Sequence, residues 1–136
     1  MGKGEKAEYL ENLCRELNID DKIQFLGYRY DVNRILSVCD MGSSASFREG
    51  LGLNIIEEMA SGLPIVASEN RGHKDIVTED CGALVQKNTA DEFSKAFCDL
   101  YKSPEKCKAF SQNNLVMCKR FDIDTIKASL LSIIED

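Results

Sequence analysis

The residues best placed to do chemistry are two glutamates eight positions apart, Glu49 and Glu57. Gly50 and Gly52 follow the first, and an apolar run from Leu53 to Met59 surrounds the second. Gly50 and Gly52 lack Cβ atoms, so the backbone there can come close to a ligand. A helix starting behind them would aim free N–H groups and the positive end of its dipole at the same point. That combination suits a diphosphate. Eight residues of helix would rise roughly 12 Å, loosened by the glycine loop, which is about the length of a ribose–diphosphate–hexose unit. Ionised carboxylates accept hydrogen bonds from pairs of hydroxyls, so Glu49 would take a sugar and Glu57 a ribose, with phosphates between them at the helix start. The plainer reading makes Glu49 a surface residue, the glycines a turn and Glu57 part of a solvated face. The pair Glu57-Glu58 inside an otherwise apolar helix favours the first reading, because a buried charge needs a partner.

These side chains need a frame, and the flanking sequence describes one. Small residues from Cys39 to Ala45 read as a strand entering the loop, Leu53 to Ser61 as a buried helix ended by Gly62 and Pro64, and Pro64 to Ala67 as a core strand. Gly82 to Val85 reads as another strand, with a helical turn at Asp75-Ile76-Val77 before it. Upstream, Leu10, Leu13, Cys14 and Leu17 fall at helical spacing within Glu5 to Asn18, Ile23 to Leu26 reads as a short strand stopped by Gly27, and Asp31 is placed to cap a short helix to Ser37. Downstream, Thr89-Ala90-Asp91-Glu92 is a capping box before Phe93, Ala96, Phe97, Leu100 and Tyr101. Pro104 opens a further helix, and a last one runs from about Asp124 to Ile134 with Ile126, Leu130, Ile133 and Ile134 on one face. Strands alternating with helices give an α/β class with a parallel, Rossmann-like sheet flanked by helices, in which ligands sit at the carboxyl ends of the strands.

Composition narrows the function classes. The 136 residues fit one domain, 1–136, and not two. With 43% hydrophobic and 29% charged residues and no apolar run near the ~20 residues of a membrane span, a soluble protein is expected. A net charge of −6 disfavours nucleic acid as a partner. The six cysteines (Cys14, Cys39, Cys81, Cys98, Cys107, Cys118) are scattered without a CxxC pair, so buried free thiols and a reducing compartment are expected. One histidine leaves little with which to build a zinc site, and the first residues carry no signal-peptide core, so the cytoplasm is the expected location. Gly2-Lys3-Gly4 reads as a turn that normally follows a strand, so the fold is expected to be truncated at its N-terminus.

The block from Glu49-Gly50-Leu51-Gly52-Leu53 through Glu57-Glu58-Met59-Ala60-Ser61-Gly62-Leu63-Pro64-Ile65-Val66-Ala67-Ser68 resembles the C-terminal, donor-binding domain of the retaining GT-B glycosyltransferases of the group 1 family. Phe25-Leu26-Gly27 and Arg71-Gly72-His73-Lys74-Asp75-Ile76-Val77 support the resemblance, which covers nearly the whole chain. It implies hexosyl transfer, with retention, from a nucleoside diphosphate sugar to a glycan or lipid-linked acceptor, as in polysaccharide biosynthesis. Glu49 would contact the donor sugar as the catalytic-site carboxylate. The backbone of Gly50, Leu51, Gly52 and Leu53 would meet sugar and diphosphate, and Glu57 would hold the ribose. Arg29 and Asp31 are candidates for a base pocket after Gly27. No metal and no separate cofactor are implied.

The resemblance also implies that the N-terminal acceptor domain and the basic phosphate grip lie outside this chain. The chain by itself would then bind donor weakly and transfer nothing, and any membrane contact would be a peripheral one of the full-length enzyme alone. Two departures stand out. Ala45-Ser46 occupies the place of a common proline-serine, and Asp75 the place of a frequent glutamate. Two rival functions stay open from sequence, a nucleotide-sugar epimerase of the same architecture and a non-catalytic nucleotide-sugar-binding module. Arg71 and Lys74 read as loop charges, Arg48 as a partner of Glu49 or a solvent residue, and His73 as a loop histidine.

Overall fold

The computed structural model describes residues 6–135, which form two compact units, the first ending at Arg34 and the second beginning at Ile35. The first unit contains α1 (Ala7–Glu16), whose Leu10 and Leu17 stay exposed while Leu13 and Cys14 are half-buried. Glu5 and the Gly2-Lys3-Gly4 turn lie outside the described residues. The expected strand at Ile23–Leu26 does not form, because none of its residues pairs with a strand among the described residues, and a lone extended segment has no ladder to satisfy its backbone. The segment ends at Gly27, whose φ of 61° is the left-handed value that favours glycine. A short α2 (Val32–Leu36) follows.

The second unit is built on three parallel strands, β1 (Gly42–Ser44), β2 (Ile65–Ser68) and β3 (Gly82–Val85), in that spatial order. Gly42 pairs with Ile65, and Ile65 with Gly82. All four residues of the central strand β2 are buried, which is why it reads as an unbroken apolar run rather than an alternating one. Val66 joins Val85, Leu100 and Phe110 in a core cluster, with Phe93, Ala96, Phe97 and Cys107 packed around it. Those partners come from α5 (Ala90–Tyr101) and α6 (Pro104–Met117). Ile65 and Ala67 point to the opposite face, as alternate strand residues must. Two further helices connect the strands: α3 (Leu53–Ala60) between β1 and β2, and the single turn α4 (Arg71–Lys74) between β2 and β3. A 3-10 turn (Cys118–Phe121) and α7 (Ile123–Glu135) close the chain, with Ile126, Leu130, Ile133 and Ile134 of α7 exposed.

Local signals act as expected at several ends. Thr89 Oγ1 accepts from the Glu92 N–H at 3.4 Å to cap α5, but Glu92 Oε2 reaches the Lys87 N–H at 3.0 Å instead of returning to Thr89. The left-handed Gly62 (φ 73°) ends α3. Asn114 of α6 is fully buried and donates to the carbonyls of Leu63 (2.7 Å) and Cys81 (2.9 Å), tying together the segments that lead into β2 and β3. The helical turn expected at Asp75-Ile76-Val77 sits four residues earlier, as α4, because Asn70 caps it there with Oδ1 accepting from the His73 N–H at 3.0 Å. The six thiols are free, but only Cys81 is buried, and Cys39 and Cys98 are exposed. Among the described residues no helix is long and apolar enough to cross a membrane.

The helix α3 is amphipathic, not buried all round. Ile55 and Met59 are fully buried, whereas Leu53, Asn54, Glu57 and Ala60 face solvent. The acidic residue turned inward is Glu58, packed so tightly over Gly42 that a Cβ there would collide with the carboxylate. Its Oε2 is buried without a hydrogen-bond partner. Loss of hydration, then the neighbouring Glu57 charge, push the Glu58 carboxyl up to about 7. A carboxyl raised in the folded state binds its proton more tightly there than in the unfolded chain. The stability it contributes is therefore full below the unfolded pKa of about 4.3 and lost as pH rises through about 7. Relative to Glu58→Gln, the native chain should lose roughly 1–3 kcal/mol of unfolding free energy between pH 4.5 and 8, measured by urea unfolding. Parallel pH profiles for the two proteins would contradict this assignment.

Candidate functional site: the turn between β1 and α3

The candidate site is the turn from Ala45 to Gly52, at the carboxyl end of β1 and the start of α3. Its entry is fixed by three side chains from elsewhere in the second unit. Asn88 Nδ2 donates to the Ala45 carbonyl at 2.9 Å, and the Ser46 carbonyl takes both Ser68 Oγ at 2.6 Å and Asn70 Nδ2 at 2.8 Å. Saturating those carbonyls leaves the residues beyond Ser46 to be set by packing. Phe47 and Arg48 are exposed and Glu49 is half-buried.

That packing comes from α4. A Cβ on Gly72 would lie 2.7 Å from the Glu49 carbonyl oxygen and 2.8 Å from that of Gly50, so the first turn of α4 presses its bare backbone onto those two carbonyls. The carbonyl carbon of Glu49 would lie 3.0 Å from the same Cβ, so this carbonyl lies broadside against Gly72, and the contact fixes where the turn backbone sits on α4.

The start of α3 follows the turn. Gly52 caps the helix without a side chain, its carbonyl accepting from the Ile56 N–H at 3.1 Å. No acidic residue occupies the first turn of α3, so no carboxylate of that turn occupies the positive end of its dipole. Among these first donors the Leu53 N–H is turned back on the Leu51 carbonyl at 2.7 Å. A Cβ at position 52 would be tight, 3.3 Å from Ile55 and 3.4 Å from His73 Cδ2.

The two glutamates stand at either side of this start. Glu49 lies in the turn and Glu57 on the exposed face of α3, one helical turn past Leu53. Only the last four of the eight steps between them are helical, so the rise along the axis is about 6 Å and the turn sets the rest. Glu57 is solvent-exposed, so burial is not what distinguishes it. That argument belongs to Glu58, and Glu57 is singled out by its position above Gly52 and Leu53.

The remaining candidates fall differently. Arg29 and Asp31 belong to the first unit and are engaged with each other, Arg29 Nε to Asp31 Oδ1 at 2.8 Å and Nη2 to Oδ2 at 2.7 Å. The Arg29 hydrogen bonds hold the Asp31 carboxyl below its usual range. Lys74 is paired with Glu69, and Arg71 is exposed. His73 is not a surface loop residue: its ring is fully buried beneath the turn. Sequence reasoning missed Ser68, Asn70, Gly72 and Asn88 as the residues that hold the turn. Asn70, three residues before His73 and opening α4, carried the one local signal, that of a helix cap. Among the described residues no three or more His, Cys, Asp or Glu side chains gather to hold a metal ion.

The strand, glycine turn, uncapped helix and flanking carboxylates lie within residues 1–116, which match the sequence model "Glycosyl transferases group 1". The chain belongs to this family. It is similar to the Bacillus subtilis protein EpsD, named as a glycosyltransferase, with 30% identity over 121 residues, covering 88% of this chain and 32% of EpsD. It is also similar to a Dictyostelium discoideum protein named GDP-Man:Man(3)GlcNAc(2)-PP-Dol alpha-1,2-mannosyltransferase, with 35% identity over 106 residues, 75% of this chain and 21% of that protein. The chain thus spans about a third or less of the length of these relatives. Its fold matches the crystal structure of Anabaena HepE in complex with UDP-glucose, with a TM-score of 0.88 at 24% identity over 98% of this chain and 39% of HepE. The Rossmann-like α/β class expected from sequence is the fold observed, that of the GT-B glycosyltransferases.

The close approach at Gly72 gives a direct test. Gly72→Ala should push the turn off α4 by a few tenths of an ångström and cost roughly 1–3 kcal/mol of stability. The largest amide chemical-shift changes should fall on Glu49 to Leu53, while β2 and β3 keep theirs. Changes spread evenly over the second unit would contradict the contact.

Proposed function

We propose that this chain binds the nucleoside diphosphate sugar of a hexosyltransferase that retains anomeric configuration, with a glycan or lipid-linked acceptor bound elsewhere in the enzyme. The observation that carries this reading is the glycine turn packed on Gly72 beside the start of α3, which has no side-chain cap and no acidic residue in its first turn. Backbone N–H groups of such a turn and a helix dipole suit a diphosphate, and they stabilise the negative charge that grows on it as the glycosidic bond breaks. In this reading the amides meet that charge without a metal ion. Glu49 accepts hydrogen bonds from hydroxyls of the transferred sugar and orients its anomeric carbon, and Glu57 takes the two ribose hydroxyls. Arg29 and Asp31 remain proposed contacts to the base, a role in which the ligand would compete for their mutual ion pair.

HepE binds UDP-glucose and the Dictyostelium relative is named for GDP-mannose, so a useful panel spans both bases. Calorimetric titration of the chain with UDP-glucose, UDP-galactose and GDP-mannose should show one binding at micromolar to millimolar Kd. Glu57→Ala should weaken that ligand about 10- to 100-fold, the worth of two ordinary hydrogen bonds at an exposed site. Should no nucleotide sugar bind, or should Glu57→Ala bind as tightly as the native chain, the reading fails.

A further inference from the structure

The single histidine of the chain has a role that the donor site as described does not use. His73 is 0% exposed, and its Nδ1 lies 2.7 Å from the Ser68 carbonyl oxygen. A carbonyl only accepts, so at that distance Nδ1 carries the proton and donates it. The Asn70 amide, 3.0 Å from the same nitrogen, spends its Nδ2 on Ser46 and its Oδ1 on the His73 backbone N–H, which fixes which way it faces. The neutral ring then presents Nε2 as a lone-pair acceptor, and that atom is buried with no hydrogen-bond partner. Cδ2, the carbon bonded to Nε2, lies 3.4 Å from where a Cβ of Gly52 would be, so this edge of the ring faces the turn at the start of α3.

We propose that His73 is a positioning residue for the glycine turn: its Nε2 accepts a backbone N–H of the Gly50–Leu53 segment when an anion binds on the outer face, and so holds the turn in its binding conformation. An unpaired buried acceptor is costly, and supplying its partner favours whichever turn conformation does so. The Gly50 carbonyl is packed on Gly72, so the peptide left to turn its N–H toward the ring is Leu51–Gly52, at the cost of the bond from the Leu53 N–H to the Leu51 carbonyl. An anion that draws the outer amides toward itself and a ring that takes an inner one then stabilise the same conformation, and binding at one strengthens the other. This rests on the reading of the turn as a diphosphate site.

Asparagine and glutamine separate the two nitrogens, since an asparagine amide reaches the place of Nδ1 and a glutamine amide the place of Nε2. His73→Asn should keep the bond to Ser68, and with it the native unfolding temperature, yet bind UDP-glucose about tenfold more weakly. His73→Gln should lose stability through Ser68 but, studied where it is folded, bind more tightly than His73→Asn. Because the ring is the only imidazole, its nitrogens can be followed by 15N NMR without assignment. Nε2 should resonate as an unprotonated nitrogen in the free chain and move upfield when UDP-glucose is added, without acquiring a proton. If His73→Asn binds as the native chain does, if Nε2 is protonated before ligand is added, or if Nε2 does not move at saturation, the proposal is overturned while the donor site stands. If the native chain binds no nucleotide sugar, both fall.

Discussion

The site depends on one close contact, the bare backbone of Gly72 against the carbonyl oxygens of Glu49 and Gly50. It sets where the turn backbone lies on α4, ahead of the start of α3, whose first turn holds no acidic residue. No side chain in the turn needs to be positive for the turn to attract an anion. This matters in a chain of net charge −6, where attraction must come from locally oriented dipoles rather than from the overall field.

The contact holds because the sheet holds it. Ser68 at the end of β2 and Asn70 just beyond it both bond the Ser46 carbonyl, so the entry to the turn is registered against the central strand. The strand is fully buried, and Asn114 fixes the segments leading into β2 and β3 from the side of α6. Polar side chains that start at the core and end at Ser46 thus convert hydrophobic packing into a fixed entry to the turn. Two of their buried atoms have no hydrogen-bond partner among the described residues, Oδ1 of Asn114 and Nε2 of His73, and the second is on the side of the ring that faces the turn.

What could be read from sequence is what depends on near neighbours in the chain. The strand Gly82–Val85, the helix that begins at Leu53, the cap at Thr89 and the glycine turn are each specified within a few residues, and each forms as expected. The residues that hold the turn were not legible, because their partners lie far away: Ser68 and Asn70 reach Ser46 across 22 and 24 positions, Asn88 reaches Ala45 across 43, and Asn114 reaches Leu63 across 51. Periodicity says nothing about such pairs. The confusion of Glu57 with Glu58 has a similar origin. One residue on a helix is a rotation of about 100°, and in a helix with apolar residues on several sides the pattern does not say which of two adjacent glutamates turns inward. Ile23–Leu26 has the composition of a strand, yet none of its residues pairs with a strand among the described residues.

The central claim is that the Gly50 and Leu51 amides of the β1–α3 turn are the anion site. A backbone 1H–15N titration of the chain with UDP-glucose tests it most directly. The account predicts that the Gly50 and Leu51 amides shift furthest downfield and saturate together, with Gly52 and the first turn of α3 following. Saturable binding that moves amides elsewhere and leaves Gly50 and Leu51 in place would contradict it.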